Sequence, residues 1–315
     1  MLAFWIVLGI TAFLAIVFLA LCYVAYRRAF FSVPNPQRSP YHVPDLPQYQ
    51  AHKDTLLTLI GEFDALPYES VTITSHDGLK LHGRYYHICD GAPVHIDMHG
   101  YRSWGIRDFC GGYRILKELG HNAIIIDQRA HTKSEGHTIT FGIKERYDCL
   151  DWINYAVERF GSDTPIFISG VSMGAGTVLM ASQLDLPKNV KGIFADCPFS
   201  APWDIIRKVC GDMGLPQKLC FPFAYVAAGL FGGFKLTGAS ASEAVKNARV
   251  PILIIHGDDD RLVPIEMSIE IQKSNPEKVK LITVKNAGHA LAYFNDPELY
   301  TNEVIQFFNN CLVKE

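Results

Sequence analysis

Gly170-Val171-Ser172-Met173-Gly174 follows directly on the apolar run Pro165-Ile166-Phe167-Ile168-Ser169, a pattern that ends a buried strand in a sharp turn and lifts one serine hydroxyl above a sheet. A strand that turns at once into a helix leaves no room for a Cβ on either side of that serine, which is why both flanking positions are glycine. A serine hydroxyl is a weak nucleophile; it needs a base to take its proton and a carboxylate to orient that base. The chain offers both downstream, in the order nucleophile, acid, base. The run 251–255 reads as a buried strand leading into His256-Gly257-Asp258-Asp259-Asp260, and Asp260 is the expected acid. A second short strand, 280–284, leads into Asn286-Ala287-Gly288-His289, and His289 is the expected base.

Such a set performs acyl transfer. His289 takes the proton of Ser172 as the oxygen attacks an acyl carbon, then returns it to the leaving group, while Asp260 steadies the imidazolium. The oxyanion that forms needs backbone N–H donors, expected from Met173 at the helix start and from Tyr101 after His99-Gly100. Asp258 and Asp259 read as solvated loop charges, although an offset of one or two residues leaves either open as the acid. His99 and His256, each before a glycine at a strand end, read as turn formers. His131 reads as a solvated loop histidine, and Asp127 and Arg129 as braces for the loops near the nucleophile.

These side chains require a scaffold that brings three distant loops together. Strand-like stretches at 71–74, 79–86, 94–98, 123–127, 166–170, 192–196, 252–256 and 281–284 alternate with helical patterns, which predicts a mostly parallel, doubly wound sheet. Reactive loops then lie at the carboxyl ends of the strands, where Ser172, Asp260 and His289 all fall. Ile143, Tyr147, Leu150, Ile153 and Val157 recur at helical spacing and predict a helix laid on the sheet by that side. The stretch 199–242 interrupts the alternation with Trp203, Ile205, Ile206, Leu215, Leu219, Phe221, Phe223, Tyr225, Leu230, Phe231 and Phe234, and is expected to form a lid over the pocket.

Over roughly residues 69–315 the chain resembles the α/β-hydrolases, and more closely the membrane-linked bacterial members of their lysophospholipase and serine aminopeptidase-like branch. The resemblance rests on the serine turn, on His256-Gly257 followed by Asp260 and Val263-Pro264, on Gly288-His289, and on His99-Gly100-Tyr101 after the strand 94–98. It implies an α/β-hydrolase fold with a helical lid and a serine hydrolase that cleaves carboxylic esters through an acyl-enzyme; no motif in the chain indicates a metal or an organic cofactor. One departure stands out in Asp127-Gln128-Arg129-Ala130-His131-Thr132-Lys133-Ser134-Glu135-Gly136, where such proteins usually carry glycine at the positions of Ala130 and Thr132. Ser172 itself excludes the nucleophilic aspartate of dehalogenase-like relatives.

Residues 2–26 contain no charge and extend about 37 Å as a helix, enough to cross a hydrocarbon core of about 30 Å. The run is long for a cleaved signal peptide, so 1–28 is expected to be a transmembrane helix. Arg27, Arg28 and Arg38 follow it, a bias that places the catalytic domain on the cytoplasmic side. Eight cysteines without metal-ligand spacing or a compact disulfide framework suit free thiols in a reducing compartment, Cys210 and Cys220 alone being close enough in sequence to suggest a pair. Pro34, Pro36, Pro40, Pro44 and Pro47 predict a stiff spacer within 29–68, followed by a helix over 50–66 with Leu56, Leu57, Leu59, Ile60 and Phe63 on its apolar side. With 49% hydrophobic residues the chain can build a sizeable core, and a net charge of −3 gives no electrostatic case for nucleic acid. The expected partners are therefore a small-molecule or lipid acyl substrate and the bilayer. A peptidase or amidase of the same fold, and a membrane-anchored binding protein without catalysis, are the alternative readings.

Overall fold

The apolar runs assemble into one eight-stranded sheet in a computed structural model that describes residues 1–35, 39–214 and 216–313. Pro36, Arg38, Leu215 and the side chain of Leu219 lie outside the described residues. The strands are β1 (Glu69–Thr74), β2 (Lys80–Tyr86), β3 (Val94–Met98), β4 (Asn122–Ile126), β5 (Ile166–Val171), β6 (Val190–Asp196), β7 (Ile252–Gly257) and β8 (Val279–Val284), in the order β1-β2-β4-β3-β5-β6-β7-β8. β1 pairs antiparallel with β2 and β2 antiparallel with β4; every other pairing is parallel. Every residue of β3, β4, β5 and β7 is buried, the physical reason these strands read as continuous apolar runs rather than as alternations.

Helices cover both faces. Glu145–Phe160, Met173–Ala181 and Ile265–Ser274 bury Trp152, Ile153, Val178, Leu179 and Ile271 against one face. Lys53–Asp64, with Leu56, Leu59, Ile60 and Phe63 buried, and Pro297–Val313, with Tyr300, Val304 and Phe308 buried, cover the other. The stripe expected for the Glu145–Phe160 helix is rotated: Ile153 is buried, but Tyr147 faces outward and the inner side is completed by Asp148, Cys149, Trp152 and Ala156. Asp148 turns inward because Arg129 holds both its oxygens, at 2.5 and 2.6 Å.

One core residue resists its surroundings. Asp97 on β3 is 1% exposed, and its Oδ2 makes no hydrogen bond among the described residues. Burial, opposed by a hydrogen bond from Ser169, pushes its carboxyl up to about 8. A carboxyl raised in the folded state contributes stability that is complete below the unfolded pKa of about 3.9 and lost as pH rises to the folded value. Thermal unfolding followed from pH 5 to 8 is expected to show wild type losing up to ~1.4 kcal/mol per pH unit through this group. Asp97→Asn is expected to flatten that slope; identical slopes in the two proteins would exclude the assignment.

The helix Leu2–Ala29 is, among the described residues, the one long and apolar enough to cross a membrane, and none of its most apolar window is buried. Its last turns are built into the domain: Cys22, Tyr26 and Phe30 are buried in a cluster with Ala224, Ala227, Ala228, Phe234 and Leu236. The expected spacer is likewise not extended away from the domain. Phe31 forms a β-bridge with Thr138, Ser32 N donates to His137 O at 3.0 Å, and the short helix Pro47–Ala51 precedes Lys53–Asp64. All eight cysteines are free, including Cys210 and Cys220.

Candidate active site

Ser172 sits between the end of β5 and the helix Met173–Ala181 with φ 56° and ψ −113°, a left-handed backbone that non-glycine residues adopt at a cost of about 1–3 kcal/mol. The two flanking glycines are sterically obligatory. A Cβ on Gly170 would lie 2.2 Å from the Gly174 carbonyl carbon, and one on Gly174 would lie 1.8 Å from Met98 O, backbone contacts that cannot yield. Ser172 N donates to Asp196 O at 2.8 Å, which fixes the turn to the end of β6.

Asp260 follows β7, and its side chain is fully buried. Its Oδ1 accepts Leu262 N at 2.9 Å and Val263 N at 2.8 Å; its Oδ2 faces His289 Nδ1 at 2.7 Å and His256 Nε2 at 3.2 Å. Burial raises its pKa, but His289, the hydrogen bonds from His256 and His289 and the Val263 N–H together outweigh it and hold the carboxyl well below the usual carboxylate range. His289 emerges from the turn after β8, with Asn286 and Ala290 at φ 56° and 55° on either side. Its Nε2 lies 2.9 Å from Ser172 Oγ. An ionised Asp260 keeps the proton on Nδ1 and leaves Nε2 to accept the serine hydrogen. The other two aspartates of the run face elsewhere: Asp258 accepts Asn286 N at 2.6 Å, and Asp259 accepts Gln48 Nε2 at 2.7 Å.

Gly100 and Tyr101 adjoin the serine, since a Cβ on Gly100 would stand 3.4 Å from Ser172 Cβ. Asp108 Oδ2 accepts Gly100 N at 2.7 Å and fixes the start of this loop. Met173 is the first residue of its helix, where N–H groups have no intrahelical acceptor. Two further histidines near the site, His99 and His131, brace loops. Burial lowers His99 to about 4, and its Nε2 accepts Gln128 N at 3.1 Å. His131, expected to be solvated, is 5% exposed; burial lowers it to about 3, and its Nε2 accepts Arg102 N at 3.0 Å. Arg129 pairs with Asp77 at 2.9 Å as well as with Asp148, joining the β1–β2 turn to the loop after β4. Ala130 and Thr132 have φ 62° and 47°, so the positions where glycine was expected do require left-handed backbone.

Ser172 and His289 open into a cleft of about 650 Å³. Its apolar wall comes from Pro44, Leu46, Pro47, Leu56, Leu291 and Phe294, with Arg107, Gln48 and Arg261 supplying polar contacts. The stretch expected as a lid forms the helices Pro202–Asp212 and Gln217–Leu230, and none of its described residues lines the cleft. Part of it packs on the N-terminal helix, Phe223 meeting Phe18 at 5.2 Å and Phe231 meeting Tyr23 at 5.4 Å between ring centroids, and Lys208 Nζ donates to the carbonyl of the cleft residue Arg261. The residues missed in sequence are those of the strap before Lys53: Gln48 holds Asp259, and Tyr49 Oη donates to His289 O at 2.7 Å. A Cβ on Gly288 would meet Gln48 Oε1 at 2.2 Å, so that glycine, read as part of the histidine turn, also makes room for the strap.

Comparison with known proteins agrees with this architecture. The family model for the alpha/beta hydrolase fold matches residues 103–215. The protein YqkD of Bacillus subtilis (strain 168) is 25% identical over 251 residues, covering 79% of this chain and 81% of that protein. The lysophosphatidylserine lipase ABHD12 of Danio rerio is 28% identical over 192 residues, or 56% of this chain, which spans 45% of that relative's length. Among solved structures, the esterase Pf2001 of Pyrococcus furiosus superposes with a TM-score of 0.65 at 24% identity, over 89% of this chain and 98% of that one.

Proposed function

We propose that this chain, an α/β hydrolase, is a membrane-anchored serine esterase acting on acyl lipids. The observation that carries the reading is the unbroken line from the Asp260 carboxylate through both ring nitrogens of His289 to the Ser172 hydroxyl, at 2.7 and 2.9 Å. In the first half-reaction His289 Nε2 takes the Ser172 proton as Oγ bonds to the ester carbonyl carbon. The tetrahedral oxyanion is met by the N–H groups of Tyr101 and Met173. Collapse breaks the ester C–O bond, and His289 gives its proton to the departing alcohol, leaving the acyl group on Ser172. Water then repeats the sequence, with His289 as base, and releases the acid.

The apolar wall of the cleft supports an acyl chain, since each buried methylene contributes about 0.8 kcal/mol. Arg107 and Arg261 at the same cleft suit a polar or anionic head group. The Danio rerio relative's name, a lysophosphatidylserine lipase, agrees in chemical class. Leu2–Ala29 serves as the anchor, and Arg27 and Arg28 at its end favour a cytoplasmic catalytic domain. The test is hydrolysis of p-nitrophenyl esters from acetate to dodecanoate by the detergent-solubilised protein. kcat/KM is expected to climb with chain length and peak among the long acyl groups; a maximum at acetate or butyrate would remove the lipid assignment and leave a short-chain esterase.

A further inference from the structure

The anchor helix ends on the loop that carries one proposed oxyanion donor. A helix leaves its final carbonyls without intrahelical partners, and here two consecutive loop side chains meet them. Tyr101 Oη donates to Ala29 O at 2.9 Å, and Arg102 Nη2 donates to Arg28 O at 3.0 Å and to Phe31 O at 2.9 Å. The intervening carbonyl, Phe30 O, accepts Ile139 N at 2.8 Å, and Tyr26 Oη lies 2.8 Å from Thr138 Oγ1. Cys22 and Phe30 are fully buried, so this end of the helix moves with the domain or not at all.

The loop side of the contact is equally constrained. Arg102 has φ 50°, a left-handed conformation that persists in a non-glycine residue where its surroundings over-determine it. Its N–H is held by His131 and its guanidinium by the helix carbonyls. The Tyr101 ring stacks on Phe141 at 5.1 Å, and Phe141 in turn meets Phe30 at 5.9 Å. At the other end Gly100 N is fixed by Asp108. The Tyr101 peptide is therefore pinned on one side by a carboxylate of the hydrolase domain and on the other by the end of the anchor.

We infer that the last turn of the N-terminal helix is a positioning element of the active site: by holding the side chains of Tyr101 and Arg102 it aims the Tyr101 N–H at the acyl oxyanion. The inference rests on the reading of Ser172 as nucleophile and Tyr101 N–H as donor. It makes turnover depend on the docked helix end even for a substrate that never enters a membrane. The side chains of Tyr101 and Arg102 act through the loop and not on the substrate, so their loss affects the tetrahedral state more than the bound ester.

The experiment uses the full chain in detergent micelles with a water-soluble short-chain p-nitrophenyl ester. Tyr101→Phe removes one oxygen and is expected to lower kcat about tenfold; Tyr101→Phe combined with Arg102→Gln is expected to lower it about a hundredfold. KM is expected to stay within about twofold, while affinity for a boronic acid, which forms a tetrahedral adduct on the serine, falls in step with kcat. A double variant with wild-type kcat and boronate affinity would overturn the inference, as would a rise in KM at constant kcat. Should the double variant lack a cooperative thermal transition, the single Tyr101→Phe variant decides by the same criteria. A wild-type protein that a fluorophosphonate leaves unlabelled at Ser172 would sink the esterase reading itself; labelled wild type with indifferent variants sinks the positioning role alone.

Discussion

Ser172→Ala is expected to lower kcat for ester hydrolysis by about a million-fold and to abolish fluorophosphonate labelling, with the protein still folded. The loss follows from the geometry around Oγ. His289 Nε2 has no other described hydrogen-bond partner than that oxygen, so its removal leaves a base with no proton to take and no atom to attack the acyl carbon. The fold is expected to be indifferent. Ser172 holds φ 56° through backbone bonds to Asp196 and Gly176, and alanine carries the same Cβ, so the strain is unchanged. Ser172→Gly separates the two effects: equally inactive, but more stable than wild type, because glycine adopts this backbone without steric cost. Mass spectrometry of the labelled protein, ester assays and thermal unfolding read all three quantities. Residual turnover by Ser172→Ala within a hundredfold of wild type would show that another group performs the attack.

The strands were legible because burial on both faces leaves a continuous apolar run, and all eight stretches read from the sequence fall within or beside the observed strands. Ser172 and His289 were legible because a strand end followed by glycine is a local signal. Asp260 was less so: three aspartates stand in a row, and what separates them is that the Asp260 carboxylate accepts two backbone N–H groups with one oxygen and faces His289 with the other. What escaped the sequence is long-range and made by ordinary residues. Gln48 meets Asp259 and Tyr49 meets His289 across more than two hundred positions, with no periodicity or motif to announce either pairing. The proline-rich stretch before them looks like a spacer because composition reports stiffness and not where a stiff segment lies. In the apolar stretch 199–242 the hydrophobic side chains are visible in sequence, whereas the surface that part of them covers, the end of the N-terminal helix, is not.

That same division of the Asp260 oxygens dictates what its amide would do. In Asp260→Asn the site of Oδ1 is lined by the N–H groups of Leu262 and Val263, so the amide oxygen must occupy it, and the NH₂ group must replace Oδ2. The NH₂ then points at His289 Nδ1, a donor where an acceptor stood. To accept it the imidazole must shift its proton to Nε2, and an Nε2–H can no longer take the hydrogen of Ser172. A fall of about ten-thousand-fold in kcat is therefore expected, with Ser172 intact and KM little changed. Stability carries a second signature. The depressed Asp260 pKa contributes stability that is present above the unfolded value of about 3.9 and lost as pH falls toward the folded one. The amide cannot titrate, so acid unfolding of Asp260→Asn is expected to lack that share of the wild-type pH dependence below about pH 4. Asp259→Asn is the matched comparison: its carboxylate holds Gln48 and Arg261 and, among the described residues, makes no hydrogen bond to His289, so its kcat is expected within about tenfold of wild type. Equal losses from the two substitutions would mean that the strap, and not the orientation of the imidazole, is what the aspartates serve.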